Sequence, residues 1–439
     1  MVATLAWAVA MAGLLPRRVR IDGQRFIEVA TNATIVLAGP NVVVKGPPYL
    51  PSVNGTRPCN DVNNAACAAA GTCQTCYTFN EADVALIKSQ GRNFIRLGVV
   101  WAGAQPREDD TLDPQFLERL HAVLNLTDRT GIHVMLDNHG DMTASAGCGN
   151  GVPMWISQKA APELIGKPLV TGFPFELVPS LKVDTLSGYD HCGSNETKWA
   201  AFAGDPNYNL LNECCLAINS GNPGATGWTT IAQKNMDYMI SDGPGRAAFV
   251  RYWTLIAEAI KDHPSAFAIE LMNEPMSINR RDMYATWREA AEAAIAVIPD
   301  ISVAVADTGD GAILPGWVDE LTDIVPLPYL APSGDTVKWM QASNNLFYAW
   351  HYYGNPKTPA AAVKNAQGVS SDWNMPSFLT EFMDCTAWNA AAAAAIGHTY
   401  WHYSSYCDTG PDYGNKTVPT ETFGACILGW GGGNTHRCL

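Results

Sequence analysis

The stretch Phe267-Ala-Ile-Glu-Leu-Met-Asn-Glu-Pro275 constrains this chain more than any other. It starts as an apolar run of strand length and stops abruptly at Asn273-Glu274-Pro275. Proline fixes its own φ and cannot donate to a sheet ladder, so strand pairing ends there. A buried strand that delivers a carboxylate at its C-terminal end is how a parallel β/α barrel presents chemistry at its mouth. A plain polar turn would read the same, since Asn and Pro are ordinary turn residues. A second carboxylate at the end of another strand tips the balance, and Ser377-Phe-Leu-Thr-Glu381 supplies it.

The rest of the chain supplies further runs of the same kind. Residues 21–29 alternate around Asp22-Gly23, a hairpin signal placed to close a barrel floor. Thr34–Val44 is a β-branched run and reads as the first barrel strand, and Phe94–Trp101 as the second. Ile132–Asp137, Ala266–Met272, Ile301–Ala306, Asn345–Tyr353, Ser377–Glu381 and Gly397–Tyr403 complete eight. Amphipathic spacing predicts helices over Glu81–Gln90, Pro114–Arg129, Arg246–Asp262 and Arg280–Val297, with Gly91 and Gly131 closing the first two. Strands alternating with helices predict an α/β chain folded as a (β/α)8 TIM barrel with right-handed crossovers. The rhythm breaks between Asn138 and Gly245, where no long periodic helix is predicted. Residues 138–245 are therefore a long insertion after strand three, of the size that forms a lid or binding rim.

Arg96 stands in the middle of the second strand. An unpaired arginine in a core strand is costly, so a carboxylate partner is expected. The formal net charge of −14 and the lack of any basic stripe exclude a nucleic-acid partner. Twelve cysteines fall in loop-like stretches, and Cys73-Gln-Thr-Cys76 lacks the second ligand pair that a zinc site needs. Disulfide-stapled loops in an oxidising compartment are the better account. Sequons at Asn32, Asn54, Asn125, Asn195 and Asn415 agree with secretion. Met1–Leu15 resembles a signal-peptide core, although Arg17, Arg18 and Arg20 follow it instead of preceding it. No other segment approaches the ~20 apolar residues of a membrane span. The expected organisation is 1–18 signal peptide, 19–403 catalytic barrel with its insertion, and 404–439 a Cys- and Gly-rich cap. Cys385 and Cys407 follow neighbouring strands and are expected to pair. The expected state is a monomer with no cofactor and no metal.

The polar residues collected at strand ends are Arg96, His139, Asn273, Glu274, His351, Tyr353, Glu381 and Trp401. In a barrel they converge on one mouth. Two carboxylates across a cleft can break a glycosidic bond, one protonated as acid and the other ionised. Trp401 would offer a flat apolar face to a sugar ring, Arg96 would hold Glu381 ionised, and Asn273 could bond a sugar 2-hydroxyl. Each of His351, Tyr353 and Trp401 also reads as ordinary core packing.

In order along the chain, these pieces resemble glycoside hydrolase family 5, the cellulase-type family of retaining β-glycosidases. The matching pieces are Asn-Phe-Ile-Arg-Leu at Arg96, the His139 turn and Glu-Leu-Met-Asn-Glu-Pro at Glu274. Trp-His-Tyr-Tyr at His351, Leu-Thr-Glu-Phe at Glu381 and Thr-Tyr-Trp at Trp401 follow. The resemblance implies Glu274 as acid/base and Glu381 as nucleophile. Leu136-Asp-Asn-His-Gly-Asp141, Trp101 with Gln105-Pro106, and Gly151-Val-Pro-Met-Trp155 resemble the endoglycoceramidase and glucosylceramidase branch. On that ground Trp101 and Asp141 join the substrate-binding set. Gly140 stands where that branch has Gln, and Gln105 where it has Glu. That branch generally carries a β-sandwich after the barrel, and only Ser404–Leu439 follow here.

The leading expectation is therefore a secreted retaining hydrolase of β-glucosidic bonds in a β-glucan. A glycolipid substrate is the alternative, for which apolar Leu210–Ile218 would line a groove unless it is the insertion's own small core. A non-catalytic carbohydrate-binding barrel would bind oligosaccharide without turnover, and a transglycosylase would use the same residues.

Overall fold

Buried runs of four to seven residues build the centre of the molecule. The computed structural model describes residues 19–44, 49–54, 79–140, 144–173, 175–183, 223–306, 333–353, 358–382 and 385–401. Strands β1 (Val19–Asp22), β2 (Arg25–Glu28) and β3 (Ala33–Thr34) form a small antiparallel sheet. Strands β4 (Ala38–Val42), β5 (Phe94–Gly98), β6 (His133–Asp137) and β7 (Ala266–Glu270) begin the barrel. Strands β8 (Ser302–Ala306), β9 (Leu346–Tyr352), β10 (Ser377–Phe382) and β11 (Gly397–Tyr400) complete it. The order is β10-β11-β4-β5-β6-β7-β8-β9, every pairing is parallel, and β9 with β10 closes the ring. The expected eight-stranded barrel is what forms.

The helices are α1 (Glu81–Ser89), α2 (Trp101–Ala104), α3 (Pro114–Thr130), α4 (Met154–Ala160) and α5 (Thr230–Ile240). They continue as α6 (Pro244–Ile260), α7 (Arg280–Val297), α8 (Gly334–Ala342), α9 (Pro359–Trp373) and α10 (Cys385–Ala393). Local chemistry sets their ends. The Asp113 carboxylate accepts from the backbone N–H groups of Gln115 and Phe116, Pro114 opens α3, and Gly131 at φ 75° ends it.

Two boundaries differ from the sequence reading. The run 34–44 is divided, because Ala33–Thr34 pairs with β2 while the barrel strand begins only at Ala38. β5 stops at Gly98, and Trp101 opens a short helix instead of ending the strand. The insertion also holds more helix than expected. In α5, Ile231, Ala232, Met236, Met239 and Ile240 form one buried face, packed on α4 and α6, with Thr229 as its N-cap. Cys148 is disulfide-bonded. Residues 1–18, 404–439, Leu210–Ile218, Cys407 and the Cys385 side chain lie outside the described residues. Among the described residues no helix is long and apolar enough to cross a membrane.

Alternation along the strands sorts the core into two shells. Ile95 and Leu97 of β5 face the helices, whereas Phe94 points inward with Phe267, Phe347 and Phe378. Val19, Ile21 and Phe26 of the hairpin close this ring from below. The Phe26 ring meets Phe347 at 5.3 Å and Phe378 at 5.9 Å, both edge-on, the arrangement aromatic quadrupoles prefer. The floor is dry and apolar. Two residues further along β5, the same inward face carries Arg96.

Candidate active site

Arg96 has no exposed surface, so each of its donors must be met inside the barrel. Nε donates to Glu270 Oε2 at 2.6 Å. Nη1 donates to Asn41 Oδ1 at 2.8 Å and Glu381 Oε1 at 2.7 Å. Nη2 donates to Asn273 Oδ1 at 2.8 Å and pairs with Asp137 Oδ2 at 3.0 Å. Its five N–H groups thus have five oxygen partners, drawn from β4, β6, β7, β10 and the turn after β7. The carboxylate predicted for Arg96 exists three times over.

One cation shared by three buried carboxylates leaves an excess of negative charge. Burial lowers the tendency of Arg96 to hold its proton, but Asp137, Glu270 and Glu381 outweigh it and raise its pKa. Arg96 stays charged. Asp137 moves well above the usual carboxylate range, chiefly through burial, with Arg96 opposing and the charges of Glu270 and Glu381 adding.

Glu381 lies at the end of β10, just past a register shift between Leu379 and Glu381. Arg96 holds one carboxylate oxygen, and the Tyr353 hydroxyl donates to the other at 2.5 Å. Glu274 has a left-handed backbone, φ 40°, which a non-glycine residue adopts only at a cost, and its side chain is partly open to solvent. His351 Nδ1 donates to Glu274 Oε1 at 2.8 Å and stands 3.7 Å from Glu381 Oε2. Burial would depress the imidazole, but the Glu381 and Glu274 carboxylates raise it to about 9. His351 is therefore an imidazolium lying between the two glutamates at neutral pH. One donor atom each from Glu274, His351 and Glu381 lie within 4.8 Å of one another. A cation could use such a set only if His351 gave up its Nδ1 proton, since a metal ligand needs that lone pair.

Of the sequence-predicted residues, Arg96, Asn273, Glu274, His351, Tyr353 and Glu381 are brought together. His139 and Trp401 join them from the side. The His139 ring stacks on Trp401 at 4.9 Å and 15°, donates from Nδ1 to Asp137 Oδ2 at 2.8 Å, and stands 3.6 Å from Glu381. One face of Trp401 is thus covered by an imidazole. Trp101 is not brought to the cluster. It is fully buried, stacked on Tyr252 at 5.3 Å, edge-on to Trp155, and donates from Nε1 to Gln105 Oε1. Asp141 lies outside the described residues. Gly140 has a packing reason, because a Cβ there would stand 2.3 Å from the Gly151 Cα. The two loops touch backbone to backbone, with no room for a Gln side chain.

Sequence reasoning passed over Asn41, Asp137, Glu270 and Thr380. Asn41 donates to the backbone oxygens of Thr380 and Tyr400 while accepting from Arg96. Glu270 was the detectable one, since a carboxylate inside an apolar strand needs a cation as much as Arg96 needs an anion.

A family model described as Cellulase (glycosyl hydrolase family 5) matches residues 60–163 and 217–406. Endoglycoceramidase I of Rhodococcus hoagii (strain 103S) is 23% identical over 92% of this chain and 72% of its own length. An endoglycoceramidase of Cyanea nozakii is 25% identical over 54% of this chain, and the chain spans only 38% of that relative. In fold, the chain resembles a crystal structure of endogalactoceramidase, with a TM-score of 0.52 at 13% identity over 88% of this chain and 74% of the other. The family match covers well over half of the chain and includes Arg96, Glu270, Glu274, His351 and Glu381. The chain belongs to glycosyl hydrolase family 5 and is a glycoside hydrolase.

Proposed function

We propose that this hydrolase cleaves β-glucosidic bonds by double displacement, with Glu381 as nucleophile and Glu274 as acid/base. The observation that carries this is the approach of the two carboxylates to within 4.8 Å. Retaining enzymes hold the pair about 5–5.5 Å apart, whereas inverting ones leave roughly 6.5–9.5 Å for a water. In the first step a Glu381 oxygen bonds to the anomeric carbon as the bond to the aglycone oxygen breaks. Glu274 gives that oxygen a proton, so the aglycone leaves as an alcohol. In the second step Glu274 takes a proton from water, the water oxygen bonds to the same carbon, and Glu381 leaves as a carboxylate. Arg96 and Tyr353 keep Glu381 ionised and aimed, and Asn273 is placed for the sugar 2-hydroxyl. Secretion is part of the same reading, supported by the cysteine count and the sequons.

One observation favours a lipid aglycone. Among the described residues the large exposed apolar side chains are Val29, Leu86, Val170, Phe173 and Leu177, and three of these lie within eight residues of the insertion. Phe173 is 77% and Leu177 70% exposed. The inner side of that segment, Phe175 and Leu181, packs with Trp228 on Met276, two residues past Glu274. The aglycone departs on the side of the acid, so this apolar rim adjoins its path. The similarity to endoglycoceramidases supports the same reading.

The test sets wild type beside Glu381→Gln and Glu274→Gln on carboxymethyl-cellulose, mixed-linkage glucan, mannan, glucosylceramide and an aryl β-glucoside. Turnover of glucosylceramide, with KM raised by Phe173→Ser and Leu177→Ser while the aryl glucoside is unaffected, supports the lipid aglycone. Turnover of a glucan alone makes the enzyme cellulase-like. Glutamine variants as active as wild type would sink the catalytic assignment.

A further inference from the structure

We propose that Glu270 is a positioning and charge-sharing residue for the nucleophile: it holds Arg96 from behind and takes part of its charge, which keeps Glu381 basic enough to attack carbon. The inference rests on the double-displacement reading of Glu381. Glu270 is completely buried, at the end of β7, and reaches Glu381 through the guanidinium. Its Oε2 takes the Nε donor at 2.6 Å, and the Thr380 hydroxyl lies 3.4 Å from Oε1. Thr380 precedes Glu381 on β10, so the carboxylate also touches the strand that carries the nucleophile.

Among the described residues, charged and titratable groups from four strands and the turns after them face Glu381. Arg96 comes from β5, Asp137 and His139 from β6 and the turn after it, Glu274 from the turn after β7, His351 from β9, and Tyr353 from just past β9. Alone with Glu381 in a dry site, Arg96 would hold it as a tight ion pair, a poor base and a weak nucleophile. Glu270 draws on the same cation, so Glu381 keeps more of its basicity while Arg96 keeps its place.

A retaining mechanism turns this into opposite effects on two steps. Glu381 attacks in the first step and leaves in the second. Removing the Glu270 charge should slow glycosylation and speed deglycosylation. With a 2-deoxy-2-fluoro-β-glucoside bearing a good leaving group, Glu270→Gln should form the covalent adduct about 3- to 10-fold more slowly and release it faster by a similar factor. The acidic limb of kcat/KM should move down by about one pH unit, because a like charge near Glu381 has gone.

A purely structural role predicts the reverse. If Glu270 only props Arg96, its loss frees the guanidinium from Glu381 and the acidic limb moves up. Glu270→Asp keeps the charge but draws it back from Arg96. It should change both rates in the same directions by a smaller factor, and it carries the test if the glutamine variant does not fold. An upward limb, or two steps slowed together, overturns the proposal. An adduct with unchanged partition in both variants also overturns it and leaves the double-displacement reading intact. No adduct in wild type removes that reading itself.

Discussion

The floor and the mouth of this barrel are made by the same inward-facing strand positions, yet they do opposite things. At the floor, Phe267, Phe347 and Phe378 meet Phe26 of the hairpin, and Phe94 packs on Phe267 and Phe378, in an aromatic plug. Two residues further along β5, Arg96 gathers Asp137, Glu270 and Glu381. Burying one phenylalanine side chain contributes roughly 1.5–3 kcal/mol. A buried ion network contributes little net stability, because desolvation offsets most of the attraction. The floor holds the barrel closed. The mouth uses that closure to keep charges and a left-handed Glu274 backbone where water would otherwise relax them.

Substitutions at the two ends should therefore separate stability from activity. The largest effect is expected from Glu381→Gln, which should lower kcat by roughly 10⁴-fold or more, the scale seen when a nucleophile is lost. Its thermal midpoint should stay level or rise, since one crowded charge is gone; a large fall would show that the mouth is structural after all. Phe26→Ala should cost about 3–5 kcal/mol in urea unfolding, with kcat per folded molecule unchanged. A cost under about 1 kcal/mol would mean the hairpin is dispensable to the floor.

His351 gives a smaller and pH-dependent effect. Its pKa is raised from 6.5 to about 9 in the fold. The stabilisation it brings is therefore complete below the ordinary histidine range and is lost as pH rises through about 9. Activity that needs the imidazolium beside Glu274 should fall over the same range, and His351→Gln should abolish that alkaline limb. A limb unchanged in the variant would assign it to another group. The smallest effect is expected at Phe173→Ser, within about 0.5 kcal/mol of wild-type stability, because the ring is exposed.

Much of this was legible before the fold was known. The barrel followed from strand-like runs separated by helical spacing, and Arg96 announced its need for a carboxylate by sitting inside an apolar strand. Glu274 and Glu381 were marked by their places at strand ends. What escaped notice were groups without an unusual neighbourhood in sequence. Asn41 and Asp137 look like ordinary strand-end polar residues, and nothing local shows that they face the same guanidinium. Trp101 entered the substrate-binding set through the resemblance of Trp101 with Gln105-Pro106 to the endoglycoceramidase branch, but here the strand ends at Gly98 and the indole turns into the layer of Tyr252, Trp155 and Phe249. The helix over Thr230–Ile240 had its signals in place, a Thr cap and an apolar face, and was masked by the irregular composition around it.

The assignment of two roles to two glutamates is most directly tested by azide rescue on an activated aryl β-glucoside. Azide should fill the cavity left by Glu381→Gly and attack from that side, giving the α-glucosyl azide. In Glu274→Ala the covalent intermediate still forms on Glu381, and azide should give the β-glucosyl azide. The reverse pattern, or the same anomer from both variants, would contradict the account.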